Sequence, residues 1–308
     1  MRPNVLSTES AVDLVQHAWR LLLATAVERR RNDRRAEVPA VAESCASWLA
    51  WPASGPPIAS PQAPAAVRAL LELYAPLCAA AVDRPLTIAH LGQSLDGHIA
   101  TGSGDSYYVT GPDNVRHLHR LRALCDAVVV GAGTVAADDP QLTVRHVEGR
   151  SPVRVILDPR AQLPARHRVF ADGSAPTLVV HADGVTAPVP AGVEALTVPV
   201  ANGRLDLRVL LARLHARGLV AVFVEGGGAT VSRFLEAGLL DRLHVAIAPL
   251  VTGTGRPGLT LPARDRIAEC LRPRHRVFTM GDDVLFDCDL RAPLAPAPVA
   301  GGDISRVI

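Results

Sequence analysis

The pattern of apolar and polar positions divides the chain into a helical first part and an alternating second part. In residues 1–84, apolar residues recur at helical spacing over 11–31 and 64–82, and a proline-rich linker separates the two runs. From residue 85 onward, short apolar runs alternate with amphipathic segments. This alternation predicts strands at 86–91, 127–130, 153–157, 177–180, 193–198 and 220–224, and helices at 114–124, 205–217 and 229–237.

Alternating strands and helices are typical of an α/β domain with a mostly parallel sheet. Three later apolar runs, at 243–248, 274–279 and 284–290, predict an antiparallel edge on that sheet. The last residues are rich in Pro, Ala and Gly. We therefore expect a helical extension over 1–84, an α/β domain over 85–291 and a disordered tail over 292–308.

Composition excludes several classes of protein. The formal net charge of +2 argues against a broad nucleic-acid surface, and an Arg-rich run at 29–35 is interpreted as a solvated helix end. All 32 basic residues are Arg, so neither a P-loop nor a Schiff-base enzyme is possible. Five scattered cysteines favour a reduced cytoplasm over disulfides or a zinc site, and no apolar run is long enough to span a membrane. We expect a soluble cytoplasmic protein with no metal, membrane or nucleic-acid partner.

Two glycine clusters follow predicted strands. Residues 131–134 (Gly-Ala-Gly-Thr) end one strand, and residues 226–228 (Gly-Gly-Gly) follow another. Glycine amides approach an anion closely, and a helix start behind them adds a favourable dipole. One such cluster is a weak signal, but two at strand ends of one sheet predict a dinucleotide lying across those ends.

Two other patterns are more ambiguous. Residues 131–136 match G-x-G-x-x-A, but the Asp-Asp-Pro at 138–140 interrupts the helix that a Rossmann unit needs. Residues 91–110 form a polar stretch with four glycines, which is either an ordinary hairpin or a loop that covers a ligand. Its density of Ser, Asp and Tyr favours the second interpretation.

Taken together, the motifs resemble the reductase domain of riboflavin biosynthesis. They are Ser94-Leu-Asp-Gly, Ser106 with Tyr108-Val-Thr, Gly131-x-Gly-Thr, Ala137-Asp-Asp-Pro-x-Leu-Thr-x-Arg145, Pro152-Val-Arg-Val-Ile-Leu-Asp158 and Val224-Glu-Gly-Gly-Gly, in the family's order over about 85–290. The family, the 5-amino-6-(5-phosphoribosylamino)uracil reductases, has a dihydrofolate-reductase-like fold. The resemblance implies NADPH-dependent reduction of a ribosylamino group to a ribitylamino group, with the hydride reaching C1′ of the opened ribose.

The resemblance also implies roles for individual residues. The substrate is expected on His90, Ser106, Arg122, Leu142, Arg145 and Glu225, with the two arginines suited to a ribose 5-phosphate. The cofactor is expected on Gly92, Tyr108, Gly131, Gly133, Thr134, Asp138, Gly227, Gly228, Ala229, Thr230, Val231, Ser232 and Arg233. Glu225 or Asp138 is hypothesised to be the catalytic proton donor. Since family members are commonly dimers, a homodimer is expected.

The chain departs from the family pattern at several points. His90 stands where members often carry a substrate-contacting lysine, and Tyr108 stands where many carry Trp. The zinc-deaminase motifs that precede many family reductases do not occur in residues 1–84, so we do not expect deamination. His90 keeps open a reductase of a related pyrimidine or pterin, and a non-catalytic nucleotide-binding protein is a further alternative. Arg160 is a candidate partner for the cofactor 2′-phosphate.

Overall fold

The structure is a computed structural model of the 308-residue chain, and it describes residues 10–30, 43–52, 55–107 and 109–291. The expected tail over 292–308 and the candidate residue Tyr108 lie outside these described residues. The chain divides into two compact units, Met1–Pro85 and Leu86–Ile308. Within the described ranges, no helix combines the length and the apolar character needed to cross a bilayer.

The first unit contains both helices that its apolar periodicity predicts. Its elements are α1 (Ala11–Arg29), β1 (Leu49–Ala50), β2 (Ile58–Ala59) and α2 (Ala65–Tyr74), with single 3-10 segments at Glu43–Trp48 and Ala75–Ala79. Ser10 and Asp13 cap α1 reciprocally, which satisfies two amides at the start of the helix. Trp19 of α1 packs edge-to-face on Tyr74 of α2, with ring centroids 5.8 Å apart.

The second unit follows the predicted alternation of strands and helices. Its strands are β3 (Leu86–Ser94), β4 (His98–Thr101), β5 (Ala127–Gly131), β6 (Val153–Leu157), β7 (Thr177–Ala182), β8 (Val193–Val198), β9 (Val200–Ala201), β10 (Arg204–Leu205), β11 (Ala221–Glu225), β12 (Arg242–Ala248), β13 (Gly255–Pro257), β14 (Arg274–Met280) and β15 (Asp283–Asp289). Its helices are α3 (Pro112–Leu124), α4 (Ala132–Asp138), α5 (Arg168–Ala171), α6 (Leu207–His215) and α7 (Gly228–Glu236).

Nine strands form one sheet in the order β14-β15-β12-β3-β11-β5-β6-β7-β8. All pairs from β12 to β8 are parallel, and β15 pairs antiparallel with both β12 and β14. The fold class is therefore as predicted, a mostly parallel sheet with an antiparallel edge. One part of the prediction is wrong: β12 belongs to the parallel set, because helix α7 carries the chain back before β12 pairs with β3.

Buried side chains on alternate strand positions pack against α6 and α7. Val129, Val155 and Val222 share one apolar cluster with Leu210 of α6 and Phe234 of α7. The intervening strand positions are buried too, as expected for a parallel sheet that is covered on both faces. Because the strands are packed on both faces, their ends, where the glycine clusters begin, are held in place.

The Ser94-Leu-Asp-Gly motif forms a tight turn between β3 and β4, and β4 pairs with β13 rather than with β3. Asp96 accepts hydrogen bonds from Ser94 Oγ at 2.5 Å, from the Thr252 amide at 3.2 Å and from the Gly253 amide at 2.8 Å. The hydrogen bond from Ser94 is the main reason that the pKa of Asp96 lies below its ordinary value. Asp96 thus anchors the β3–β4 turn to the segment that leads into β13.

A polar network is buried between α3, β12 and β15. His117 Nε2 lies 3.0 Å from His244 Nδ1, and His244 Nε2 lies 3.1 Å from Asp287 Oδ1. Arg242 and Arg276 donate to the same Asp287 carboxylate. Because the carboxylate accepts from His244 Nε2, the neutral ring accepts from His117 at Nδ1. Burial lowers the pKa of both histidines, so the network holds neutral rings.

These neutral histidines predict a pH-dependent stability. In the unfolded chain they take up protons below about pH 6.5, whereas the folded protein resists protonation, so the free energy of unfolding falls as the pH drops. Replacing His117 by Gln should decrease this slope by up to about 1.4 kcal/mol per pH unit, whatever its effect on stability at neutral pH.

Urea unfolding at several pH values between 7 and 5 measures the slope. His275→Gln, at an exposed position of β14, is the matched control and should keep the wild-type slope. Equal slopes for the His117→Gln variant and the wild type would show that His117 is protonated as readily in the folded protein as in the unfolded chain.

Candidate active site

A cavity of about 1110 Å³ lies at the carboxyl ends of β3, β5 and β11. Strands β3 and β4, helices α4 and α7 and residues 256–262 form its walls. Most of the residues predicted from the sequence line it: His90, Gly92, Ser106, Gly131, Gly133, Thr134, Asp138, Leu142, Glu225, Gly227, Gly228, Ala229, Thr230, Ser232 and Arg233. Arg122, Arg145 and Val231 do not, and Val231 is fully buried in the apolar cluster under α7.

The two glycine clusters interlock at one edge of the sheet. The Gly227 amide donates to Thr134 Oγ1 at 3.1 Å. A Cβ atom on Gly131 would lie 2.7 Å from Thr230 Oγ1, closer than side chains allow. Gly226 adopts φ +111°, a conformation open to glycine and strained for other residues. The absence of side chains at these glycines is therefore what lets the β5 and β11 loops meet.

The start of α7 is arranged like an anion site. Its N-cap residue, Gly227, provides no side-chain cap, and the Thr230 amide already donates to the Gly227 carbonyl at 2.9 Å, so the first-turn amides left for a ligand are those of Gly228 and Ala229. A Cβ on Gly228 would collide with the carbonyl oxygen of Gly258 and lie 2.7 Å from that of Pro257. The Thr260 amide donates to Ser232 Oγ at 2.8 Å. The segment after β13 thus packs directly against α7 and closes one side of the cavity.

Glu225 and Arg122 form a buried ion pair at the base of the cavity. Arg122 Nε donates to Glu225 Oε2 at 2.7 Å and Arg122 Nη2 donates to Oε1 at 2.5 Å, while Arg122 Nη1 donates to the Thr143 carbonyl at 3.0 Å. The Arg122 guanidinium thus donates to both Glu225 and the Thr143 carbonyl, and it does not line the cavity. Of the two partners, only Glu225 lines the cavity, and the ion pair fixes the orientation of its carboxylate.

The segment between α4 and β6 holds Leu142 in a strained position. Asp139 has φ +40° and Leu142 has φ +56°, both in the left-handed region that is costly for these residue types. The Asp139 carboxylate accepts from the Arg168 amide at 2.8 Å, and the Arg145 amide donates to His119 Nδ1 at 3.0 Å. These contacts fix the segment on both sides of Leu142, whose buried side chain lines the cavity.

His90 is a neutral group in the cavity wall. Its Nε2 lies 2.9 Å from Asn114 Oδ1, and Asn114 in turn donates to Thr110 Oγ1 at 2.8 Å. Since Oδ1 is an acceptor, His90 Nε2 carries the proton. Burial lowers the pKa of His90 to about 3. The chain therefore presents an uncharged ring at this position of the cavity wall.

Asp138 and Arg256 face the cavity from opposite walls. Asp138 has an exposed side chain, but desolvation by the surrounding cavity wall raises its pKa, and the positive charge of Arg256 opposes that shift. Arg256 was not predicted from the sequence, because it joins the site through the pairing of β13 with β4, two segments far apart in the chain. Further lining residues that were not predicted are Asn114, Arg204, Glu236 and those of the segment 257–262. Arg160 is exposed and does not line the cavity.

Among the described residues, no group of three or more His, Cys, Asp or Glu side chains is placed to hold a metal ion. Instead, glycine amides, hydroxyl groups and arginines surround the cavity. Amides and arginines favour phosphate groups. The fold and the site together define an α/β protein with a cavity suited to phosphorylated ligands.

Comparison with known proteins identifies the family. The RibD C-terminal domain family matches residues 85–274, and the chain belongs to this family of riboflavin-biosynthesis pyrimidine reductases. The 2,5-diamino-6-ribosylamino-4(3H)-pyrimidinone 5′-phosphate reductase of Methanothermobacter thermautotrophicus is 38% identical over 217 residues, which cover 66% of this chain and 97% of that protein. The chain is accordingly an oxidoreductase.

Bacterial relatives match over part of their length. The riboflavin biosynthesis protein RibD of Aquifex aeolicus is 35% identical over 66% of this chain and 57% of its own length. The crystal structure of a deaminase/5-amino-6-(5-phosphoribosylamino)uracil reductase from Thermotoga maritima superimposes with a TM-score of 0.55 and 30% identity, covering 67% of this chain and 57% of that one. The chain thus spans just over half of these two proteins, and the shared part is the dihydrofolate-reductase-like domain.

The glycine contacts predict opposite outcomes for two substitutions in the cavity wall. Gly228→Ala should lower the free energy of unfolding by about 1–3 kcal/mol, because the new Cβ meets backbone carbonyls that cannot rotate away. Gly133→Ala should leave stability unchanged or raise it by up to about 1 kcal/mol, since nothing lies within 4 Å of the added Cβ and alanine favours the helix.

Urea unfolding of the two variants beside the wild type tests this contrast. If Gly228→Ala were as stable as Gly133→Ala, the close packing of the segment after β13 on α7 would be incorrect.

Proposed function

We propose that this protein reduces the ribosylamino group of 5-amino-6-(5-phosphoribosylamino)uracil to a ribitylamino group, using NADPH. The observation that carries the proposal is the joining of the two glycine loops beside the Glu225 carboxylate, in one cavity of about 1110 Å³. Family membership supports a reductase acting on a phosphorylated pyrimidine. We further propose that it works in the cytoplasm.

The cavity fits a nicotinamide dinucleotide at its glycine-lined edge. The first-turn amides of α7 and residues 131–134 would hold the pyrophosphate, because both present backbone N–H groups without side chains in the way. Gly92 lines the same cavity and would lie beside the nicotinamide half. When bound, NADPH supplies the hydride that reduces C1′ of the opened ribose.

Other groups in and around the cavity are available to the substrate. Glu225, fixed by Arg122, would accept hydrogen bonds from the pyrimidine or the sugar. Leu142 and Ser106 would flank the ring. Because Arg122 is already occupied by Glu225, we assign the ribose 5-phosphate to Arg145, whose exposed side chain is held by Thr143 at 2.6 Å.

The reduction adds a hydride to C1′ and a proton to the adjoining nitrogen, so the site needs an acid. Asp138 is the better candidate, because it lines the cavity and desolvation there raises its pKa, which increases the protonated share of the carboxyl. Glu225 receives two hydrogen bonds from Arg122, which occupy both of its carboxylate oxygens. We therefore propose Asp138 as the proton donor and Glu225 as a substrate-binding acceptor.

A second candidate substrate is 2,5-diamino-6-ribosylamino-4(3H)-pyrimidinone 5′-phosphate. It is favoured by the name of the archaeal relative, which this chain covers over 97% of its length. The neutral His90 is compatible with an amino group or a carbonyl oxygen on the pyrimidine, because a neutral imidazole both donates and accepts. The two substrates differ at the ring position that deamination changes.

We also propose a homodimer. Strand β14 is the outermost strand on one side of the sheet, so one row of its backbone groups is open to pairing. The antiparallel β14–β15 edge is the surface that we expect at a subunit contact.

Anaerobic loss of NADPH absorbance with each pyrimidine, with NADH in parallel, tests the proposed activity. We expect saturable oxidation of NADPH and formation of the ribitylamino product with at least one of the two substrates, and the faster one identifies the physiological pyrimidine. Tight binding of NADPH without oxidation by either pyrimidine would contradict the proposal and favour a different substrate or a non-catalytic binding role.

Replacing Asp138 by Asn should lower kcat by about 100-fold or more, since a general acid contributes at least that factor. In the wild type, kcat should fall as the pH rises through the raised pKa of Asp138, because the protonated carboxyl is the active form. This pH dependence should disappear in the variant. Asp183→Asn, at an exposed turn outside the cavity, is the control, and an Asp138→Asn enzyme with wild-type kcat would exclude Asp138 as the donor.

A further inference from the structure

The cavity continues beyond the glycine loops along helix α7. Its far end is lined by Arg204 of β10, by Arg233 and Glu236 of α7, and by Leu261 and Pro262. Arg233 lies five residues after Gly228, which places it about 7.5 Å further along the helix axis at 1.5 Å per residue. A ligand whose pyrophosphate lies at the start of α7 therefore has a second polar contact within its own length.

This end of the cavity carries an excess of positive charge. Arg233 is partly buried, and its Nη2 donates to the Leu205 carbonyl at 3.4 Å, which brings the guanidinium beside the strand that carries Arg204. Burial lowers the pKa of Arg233, and the positive charge of Arg204 lowers it further. Two cations that repel each other at one cavity wall favour an anion between them.

Glu236 compensates only part of this charge. Its Oε2 lies 3.8 Å from Arg204 Nη1, and both side chains are largely exposed. An exposed pair at this separation contributes little, so Arg204 is free to turn toward an incoming anion. Beside these charges, Leu261 is an exposed apolar side chain on the cavity wall, and such a surface suits the face of a purine ring.

We propose that Arg204 and Arg233 form the subsite for the 2′-phosphate of the cofactor's adenosine half, and that Arg204 thereby selects NADPH over NADH. A phosphomonoester carries nearly two negative charges at neutral pH and accepts bidentate hydrogen bonds from guanidinium groups. The proposal rests on the proposed function, since it requires a nicotinamide dinucleotide in the cavity. It replaces Arg160, which lies outside the cavity, as the source of cofactor specificity.

Binding measured by titration calorimetry tests the subsite without depending on turnover. The ligands are 2′,5′-ADP and NADPH, which carry the 2′-phosphate, and 5′-AMP and NADH, which lack it. Arg204→Gln should weaken binding of the first two about tenfold or more and leave the affinity for the other two within about twofold. Arg160→Gln is the matched control and should bind all four ligands as the wild type does.

The outcomes separate the subsite from the proposed function. In one case the wild type binds NADPH, while Arg204→Gln lowers the affinities for NADPH and NADH equally or lowers neither affinity. Either result would refute the subsite and leave the dinucleotide site standing. A selective loss in Arg160→Gln would also refute it. If the wild type binds none of the four ligands, the proposed function itself fails and the subsite falls with it. Thermal unfolding of each variant verifies that the exposed substitutions leave the fold intact.

Discussion

The hydrogen bond from the Gly227 amide to the Thr134 hydroxyl joins the two strand-end loops from which the site is built. It forms because β5 and β11 are neighbouring parallel strands, whose carboxyl ends emerge at one edge of the sheet. A Cβ at Gly131 would crowd the Thr230 hydroxyl, and the φ of +111° at Gly226 is strained for residues other than glycine. The anion cradle at the start of α7, the position of Glu225 and the length of the cavity all depend on this close approach.

The buried ion pair between Arg122 and Glu225 is a second contact that connects separate elements of the fold. It links helix α3 to strand β11, and its third hydrogen bond, to the Thr143 carbonyl, holds the strained segment around Leu142. Removing one partner would leave the other charge buried and unpaired, which costs about 3–5 kcal/mol. An alanine substitution at Glu225 would therefore change folding and chemistry together. This is why the proton-donor hypothesis is better examined at Asp138.

Local patterns were enough to predict most of the parallel strands and the two glycine loops, and the family resemblance supplied the other predicted residues that line the cavity. The predictions weakened where long-range pairing decides the structure. In the polar stretch after residue 91, Asp96 is anchored by Thr252 and Gly253, which lie far along the chain, and β4 pairs with β13. The direction of β12 depends on its pairing with β3. Arg204 and Arg256 have no local motif and join the site only through the tertiary fold.

A crystal structure with NADP⁺ bound tests the central claim, that the joined glycine loops are the cofactor cradle, most directly. We predict the pyrophosphate within hydrogen-bonding distance of the first-turn amides of α7 and beside residues 131–134, with the nicotinamide directed toward Glu225 and Asp138. A dinucleotide bound elsewhere in the chain, or one whose pyrophosphate contacts neither loop, would contradict the account.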